Sequence, residues 1–168
     1  MFANRPVFER ILVALDDRDP SRRAAEMAAR LAAITGARVA LLHVIDVSRV
    51  YDSELGFADN MLSADMRSAA EDLLDRYHAL FPSGIRLDRL THDGDPPVEI
   101  VAAADRWGAD LIIVGSHGRG RLARLLLEST AESVVREAHC PVLCVGYAPA
   151  LAPAKARPCC EEEPAQVP

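Results

Sequence analysis

Short runs of contiguous apolar residues punctuate the chain at Ile11 to Leu15, Arg38 to Val44, Leu111 to Val114 and Pro141 to Val145. Runs of this length, rich in β-branched residues and bounded by glycine, proline or charge, read as strands buried on both faces. Ile85 to Leu90 instead alternates apolar and charged residues, which predicts a half-exposed strand at the edge of a sheet. Between the strands the apolar residues recur at helical spacing. Ala24, Met27, Ala28, Leu31 and Ile34 mark a first helix, and Met66, Ala69, Ala70, Leu73, Tyr77 and Leu80 a second. Val98, Val101, Ala102 and Trp107 mark a third, and Ala131, Val134, Val135 and Ala138 a last one.

The helix ends are signalled as well. Asp19-Pro20 and Gly94-Asp95-Pro96-Pro97 each offer a capping carboxylate followed by a helix-initiating proline, and Asp19 is expected to cap the first helix. Gly36, Gly108 and Pro82-Ser83-Gly84 close helices. Ser129-Thr130-Ala131-Glu132 has the capping-box spacing that opens a helix with free backbone amides. The polar segment from the second strand to about Asn60 is too long for a tight connection and suits a flap over a site.

Strands alternating with helices predict an α/β fold, an open five-stranded parallel sheet with helices on both faces and right-handed crossovers. In such sheets ligands bind outside the carboxyl ends of the strands, where the strand order reverses. With the order 3-2-1-4-5, that point lies between the first and fourth strands and brings Asp16 and Asp17 beside the loop after Val114. These carboxylates suit a ribose hydroxyl or a metal, and equally a helix cap.

The loop itself carries Gly115, Gly118 and Gly120 with Arg119, Arg121 and Arg124. Exposed amides, a helix dipole and arginines together favour an anion. It is neither a P-loop, since no Gly-Lys-Ser/Thr follows, nor the dinucleotide fingerprint, since GxGxxG is absent. On spacing alone, a strand-to-helix connection that merely turns tightly and solvates its arginines is as good a reading as a phosphate site.

A chain of 168 residues, half of them hydrophobic, suits one domain with extra ends. The expected division is an N-terminal extension at 1–8, a domain at 9–146 and a disordered, Pro- and Ala-rich acidic tail at 147–168. A net charge of −6 argues against a nucleic-acid surface, and neither a membrane span nor a signal-peptide core is expected. A cytoplasmic location follows. Cys140, Cys144, Cys159 and Cys160 show no metal-binding spacing and read as two buried thiols and two tail thiols. His117 has no orienting carboxylate at a recognisable spacing, and His43 and His139 read as structural, so catalytic residues and metal ligands are both expected to be none. Trp107 and Tyr77 read as packing residues.

ILVALDD, GDPPVEIVAAADRWGADLIIVGSHGRGRLARLLLESTAESVV and CPVLCV together resemble the universal stress protein domain over roughly Glu9 to Gly146. The resemblance implies five parallel strands around an adenine-nucleotide-type crevice, and a homodimer joined through the last strand, Pro141, Val142, Leu143, Cys144 and Val145. Nucleotide-binding members carry Gly, two residues, Gly, nine residues, then Gly-Ser/Thr. Gly115 and Gly118 match the first two positions, Ser129 and Thr130 the hydroxyl pair, and Glu128 stands where the third glycine belongs. By the same match Asp16 faces the ribose or adenine side and Val44 lies near adenine through its backbone, so the implied nucleotide site is Asp16, Val44, Gly115, Gly118, Arg119, Ser129 and Thr130. The implied ligand is ATP or AMP, with Mg2+ accompanying the nucleotide, bound weakly because of Glu128. Three functions stand open: a stress-response regulatory module that binds nucleotide, a dimeric interaction module that does not, and a slow ATP hydrolase or phosphotransferase.

Overall fold

The computed structural model describes residues 7–46, 59–116 and 129–146, the second stretch by backbone alone through 63. Its elements run β1 (Arg10–Ala14), α1 (Asp19–Thr35), β2 (Arg38–Asp46), α2 (Asp59–His78), β3 (Leu87–Gly94), α3 (Pro96–Trp107), β4 (Leu111–Ser116), α4 (Thr130–Glu137) and β5 (Val142–Gly146). All five strands are parallel, in the order β3-β2-β1-β4-β5. The expected fold class is therefore the observed one.

Side-chain alternation divides the core in two. Ile11, Val13, Val39, Leu41, Leu111 and Ile113 face α1 and α2, where Ala24, Ala28, Leu73, Leu74 and Tyr77 cover them. Leu12, Ala40, Leu42, Ile112 and Val114 face α3 and α4, covered by Ile100, Ala103, Ala104, Ala131 and Val134. Strands buried on both faces must be apolar at every position, so they stood out as runs.

Helix phase departs from expectation in four places, the first being Leu80, which lies past the end of α2 at His78 and is exposed. Ile34 is 83% exposed, because α1 meets the sheet through Ala24, Ala25, Ala28, Ala29 and Ala32. Val98 and Val135 are exposed, while Ile100, Ala103 and Ala104 of α3 and Ala131 and Val134 of α4 are buried. Small alanines let a helix approach the sheet closely, and that contact outranks the position of the larger aliphatics. β3 runs to Gly94, longer than Ile85 to Leu90, and it is the sheet edge.

Gly36 and Gly108 close α1 and α3 in the left-handed conformation, with φ of 72° and 71°. Asp19 does not cap α1. The N-cap is Arg18 and makes no side-chain bond, and Asp95, at the N-cap of α3, makes none either. Ser129 does cap α4, its hydroxyl accepting from the Glu132 amide at 3.2 Å.

Candidate functional site

Where β1 ends, the sheet order reverses, since β2 pairs on one side of it and β4 on the other. Leu15 keeps one further ladder bond, its amide donating to the Leu42 carbonyl at 2.8 Å, and the chain then turns toward α1. Side chains from three elements hold that turn. The Ser21 hydroxyl, 5% exposed, accepts from the Asp16 amide at 3.0 Å and donates to Asp16 Oδ1. The same Oδ1 accepts from the Arg18 amide at 3.1 Å, and Arg18 Nε lies 3.6 Å from Oδ2. The Asp16–Ser21 pairing ties this turn to the first turn of α1.

Two further bonds secure the backbone itself. The Tyr77 hydroxyl of α2 donates to the Asp16 carbonyl at 2.8 Å, and His43 Nδ1 of β2 lies 2.8 Å from the Leu15 carbonyl. A carbonyl can only accept, so this nitrogen carries the hydrogen. Burial, and then the Asp16 carboxylate, push the Tyr77 hydroxyl up to about 12. The outcome is a rigid loop whose carboxylate is oriented before any ligand arrives.

Around this loop opens a crevice of about 690 Å³ at the carboxyl ends of β1, β2 and β4, a size within the range of small-molecule sites. Val44 and Ile45 of β2 and Met66, Ala69 and Leu73 of α2 border one side, and Pro96, Pro97 and Ile100 of α3 another. Among its described borders are the carboxylates Asp16, Asp17, Asp46, Asp72 and Asp95, against the guanidiniums of Arg18 and Arg76.

Of the residues singled out in the sequence, Asp16, Val44, Gly115 and Thr130 meet at this crevice. Ser129 stands directly before Thr130 as the cap of α4. Gly118 and Arg119 lie outside the described residues, as do His117, Gly120, Arg121, Arg124, Glu128, the segment 47–58 and the tail. Gly115 has a packing duty that neither tight turning nor ligand approach anticipated. A Cβ there would sit 2.6 Å from the Pro20 carbonyl carbon and 2.8 Å from the Ser21 nitrogen, so β4 and the first turn of α1 touch backbone to backbone. Ser21, Tyr77 and His43 escaped the sequence reading as supports of the site, because their partners are backbone groups distant in the chain.

Cys140 is half-buried and Cys144 exposed, not the buried pair expected, because the short last strand lies at the sheet edge, and neither is a primed nucleophile. Burial raises the thiols of both Cys140 and Cys144 above the ordinary range.

A parallel sheet in this order, with a crevice at its switch point, defines an open doubly wound α/β module whose crevice lies where such folds bind their ligands. The chain belongs to the universal stress protein family, which matches it over residues 8–146. A universal stress protein of Thermus aquaticus, named for the 3' region of the QAH/OAS sulfhydrylase, is 36% identical, spanning 83% of this chain and 99% of the relative. The universal stress protein MJ0531 of Methanocaldococcus jannaschii is 31% identical, spanning 83% and 82%. Among solved structures, UspA of Lactobacillus plantarum superimposes with a TM-score of 0.66 at 26% identity, spanning 82% of this chain and 97% of that one. Two structures share the fold at lower identity, each with a TM-score of 0.60. One is a universal stress protein in complex with cAMP, 23% identical over 83% of this chain and 97% of its own. The other is the universal stress protein of Archaeoglobus fulgidus in complex with dAMP, 24% identical over 83% and 98%.

Proposed function

We propose that this protein is a stress-response regulatory module whose crevice takes an adenine nucleotide. The observation that carries the reading is the meeting of Asp16, Val44, Gly115 and Thr130, from four separate stretches of chain, at one crevice of mononucleotide size. In this reading Asp16 receives the ribose, the Val44 backbone meets adenine, and Gly115, Gly118, Arg119, Ser129 and Thr130 face the phosphates. Two proteins of the same fold have been solved with cAMP and dAMP, which makes nucleoside monophosphates and ATP the ligands to try first. No helix among the described residues is long and apolar enough to cross a membrane, in keeping with a cytoplasmic role.

Affinity for ATP is weak in this reading. Glu128 brings a carboxylate to the phosphate end of the site, and repulsion at a few ångströms costs on the order of 1–4 kcal/mol, roughly tenfold to several hundredfold in affinity. Mg2+ bound with the nucleotide offsets part of it. Glu128→Gly tightens ATP more than adenosine, which has no phosphate to repel, and calorimetry on both proteins with both ligands measures the difference. Equal ATP affinity in the two proteins removes Glu128 from the site.

A second reading is a dimeric interaction module that holds no nucleotide. The five carboxylates against two guanidiniums among the described borders of the crevice favour it. Mass spectrometry of gently purified protein decides between the two, since a copurifying adenine nucleotide is expected only in the first. Turnover of added ATP, abolished by Asp16→Ala, would convert the first reading into a slow hydrolase or phosphotransferase.

A further inference from the structure

Along β2 successive residues turn their backbone groups to opposite neighbours, as a strand paired on both sides must. The Arg38 amide donates to the Glu9 carbonyl just ahead of β1, and the Val39 amide to the Arg86 carbonyl just ahead of β3, both at 2.9 Å. Even-numbered residues of β2 therefore face β1. The Leu42 carbonyl keeps this phase, accepting from the Leu15 amide at 2.8 Å. Val44 is the next residue on that side. One more step of the ladder, in the register that pairs Ala14 with Leu42, would have the Val44 amide donate to the Leu15 carbonyl and the Val44 carbonyl accept from the Asp17 amide.

Neither bond is made among the described residues. The Leu15 carbonyl meets the His43 imidazole instead, through Nδ1 at 2.8 Å. Beyond it the chain is drawn away from β2, the Asp16 amide donating to the Ser21 hydroxyl at 3.0 Å and the Asp16 carbonyl accepting from the Tyr77 hydroxyl at 2.8 Å. Val44 is thus left with an N–H and a C=O directed past the end of β1, at a position that borders the crevice. Backbone groups are obligatory hydrogen-bonding groups, so these two are satisfied by whatever occupies the crevice.

We infer that His43 is a positioning residue for the ligand: by taking the Leu15 carbonyl it stops the β1–β2 ladder one step short and keeps the Val44 N–H and C=O open as a donor–acceptor pair. The inference rests on the nucleotide reading of the crevice and adds to it the side chain that leaves this backbone edge free. A base edge with a ring-nitrogen acceptor beside an amino donor, as in adenine, satisfies both groups. Replacing the amino group by a carbonyl, as in inosine, turns a lone pair toward the Val44 carbonyl. The role of His43 needs one N–H at Nδ1, which both the neutral tautomer and the imidazolium supply.

Amide hydrogen exchange of the full chain, read residue by residue by NMR, tests the contact, and calorimetry with adenosine and inosine tests its consequence. In the ligand-free protein the Val44 amide is expected to exchange roughly tenfold or more faster than the Leu42 amide, which lies inside the ladder. His43→Leu releases the Leu15 carbonyl to the Val44 amide. It is expected to slow Val44 exchange to the Leu42 rate, to weaken adenosine roughly tenfold, and to erase the preference for adenosine over inosine. His43→Asn, whose side-chain amide donates from nearly the same place, is expected to restore both fast exchange and affinity. A Val44 amide as protected as that of Leu42 in the ligand-free wild type overturns the inference, with no variant needed. So does a His43→Leu protein in which either the exchange or the adenosine affinity is unchanged. Wild-type protein that binds neither nucleoside nor AMP overturns the nucleotide reading, whereas the exchange rates judge the His43 contact by themselves.

Discussion

At Gly115 the strand and the helix of the site come within backbone contact, and the consequence is a stability effect separable from ligand binding. A methyl group placed 2.6 Å from the Pro20 carbonyl carbon forces the first turn of α1 outward. Gly115→Ala is expected to lower stability by about 1–3 kcal/mol without ligand, read as a lower urea midpoint at unchanged slope. A variant as stable as wild type would mean that the glycine serves the ligand alone. Tyr77 makes a second case, since its hydroxyl holds the Asp16 carbonyl. Tyr77→Phe deletes one neutral hydrogen bond, about 1 kcal/mol, and is expected to lower the melting temperature by roughly 2–4 °C. The folded phenol titrates at about 12 against 10.0 for the free group, so its stabilisation is complete below pH 10 and is lost as pH rises toward 12. The Phe variant should show a shallower fall in melting temperature across that interval.

The two edge strands are built differently. β3 carries charges that pair outward: Arg89 bonds Asp75 of α2, Asp93 bonds Arg67 of α2 at 2.5 Å, and Asp88 bonds Arg38 of β2 at 2.6 Å. The Arg38 hydrogen bond holds the Asp88 carboxyl below the usual range, and Asp88 also accepts from Trp107 Nε1 at 3.0 Å, while the Arg10 guanidinium lies 4.5 Å above the Trp107 ring. Charges of this kind blunt an edge against pairing with another strand. β5, from Val142 to Gly146, has no charged residue and, among the described strands, pairs only with β4. An uncharged open edge is a template for a second copy of itself. We propose a twofold dimer through β5: sedimentation at micromolar concentration is expected to give a dimer, and Val142→Lys a monomer. A wild-type monomer that Val142→Lys leaves unchanged removes this edge as an interface.

For the molecule as a whole, the family match ends at residue 146, and we propose that the remaining acidic, Pro- and Ala-rich segment adds little buried area. Removal of Ala150 to Pro168 is expected to leave the melting temperature nearly unchanged. A drop of several degrees would mean that the tail docks on the domain. The crevice, by contrast, belongs to no single segment: β1, β2, β4, α1, α2, α3 and α4 all border it.

The elements and their kinds were readable in the chain because the cause of each is local. A strand buried on both faces must be apolar throughout, a helix must repeat its apolar residues every three to four positions, and glycine alone turns easily at Gly36 and Gly108. Family likeness was readable for a related reason, since its motifs are short and ordered along the chain. What escaped depends on partners far away in sequence. Ile34, Val98 and Val135 were assigned inward by hydrophobicity, but the faces that pack are set by how closely alanines let a helix approach the sheet. Asp19 does not cap α1 because the N-cap falls one residue earlier, at Arg18, and Gly115 owes its lack of a side chain to Pro20, a residue on another element.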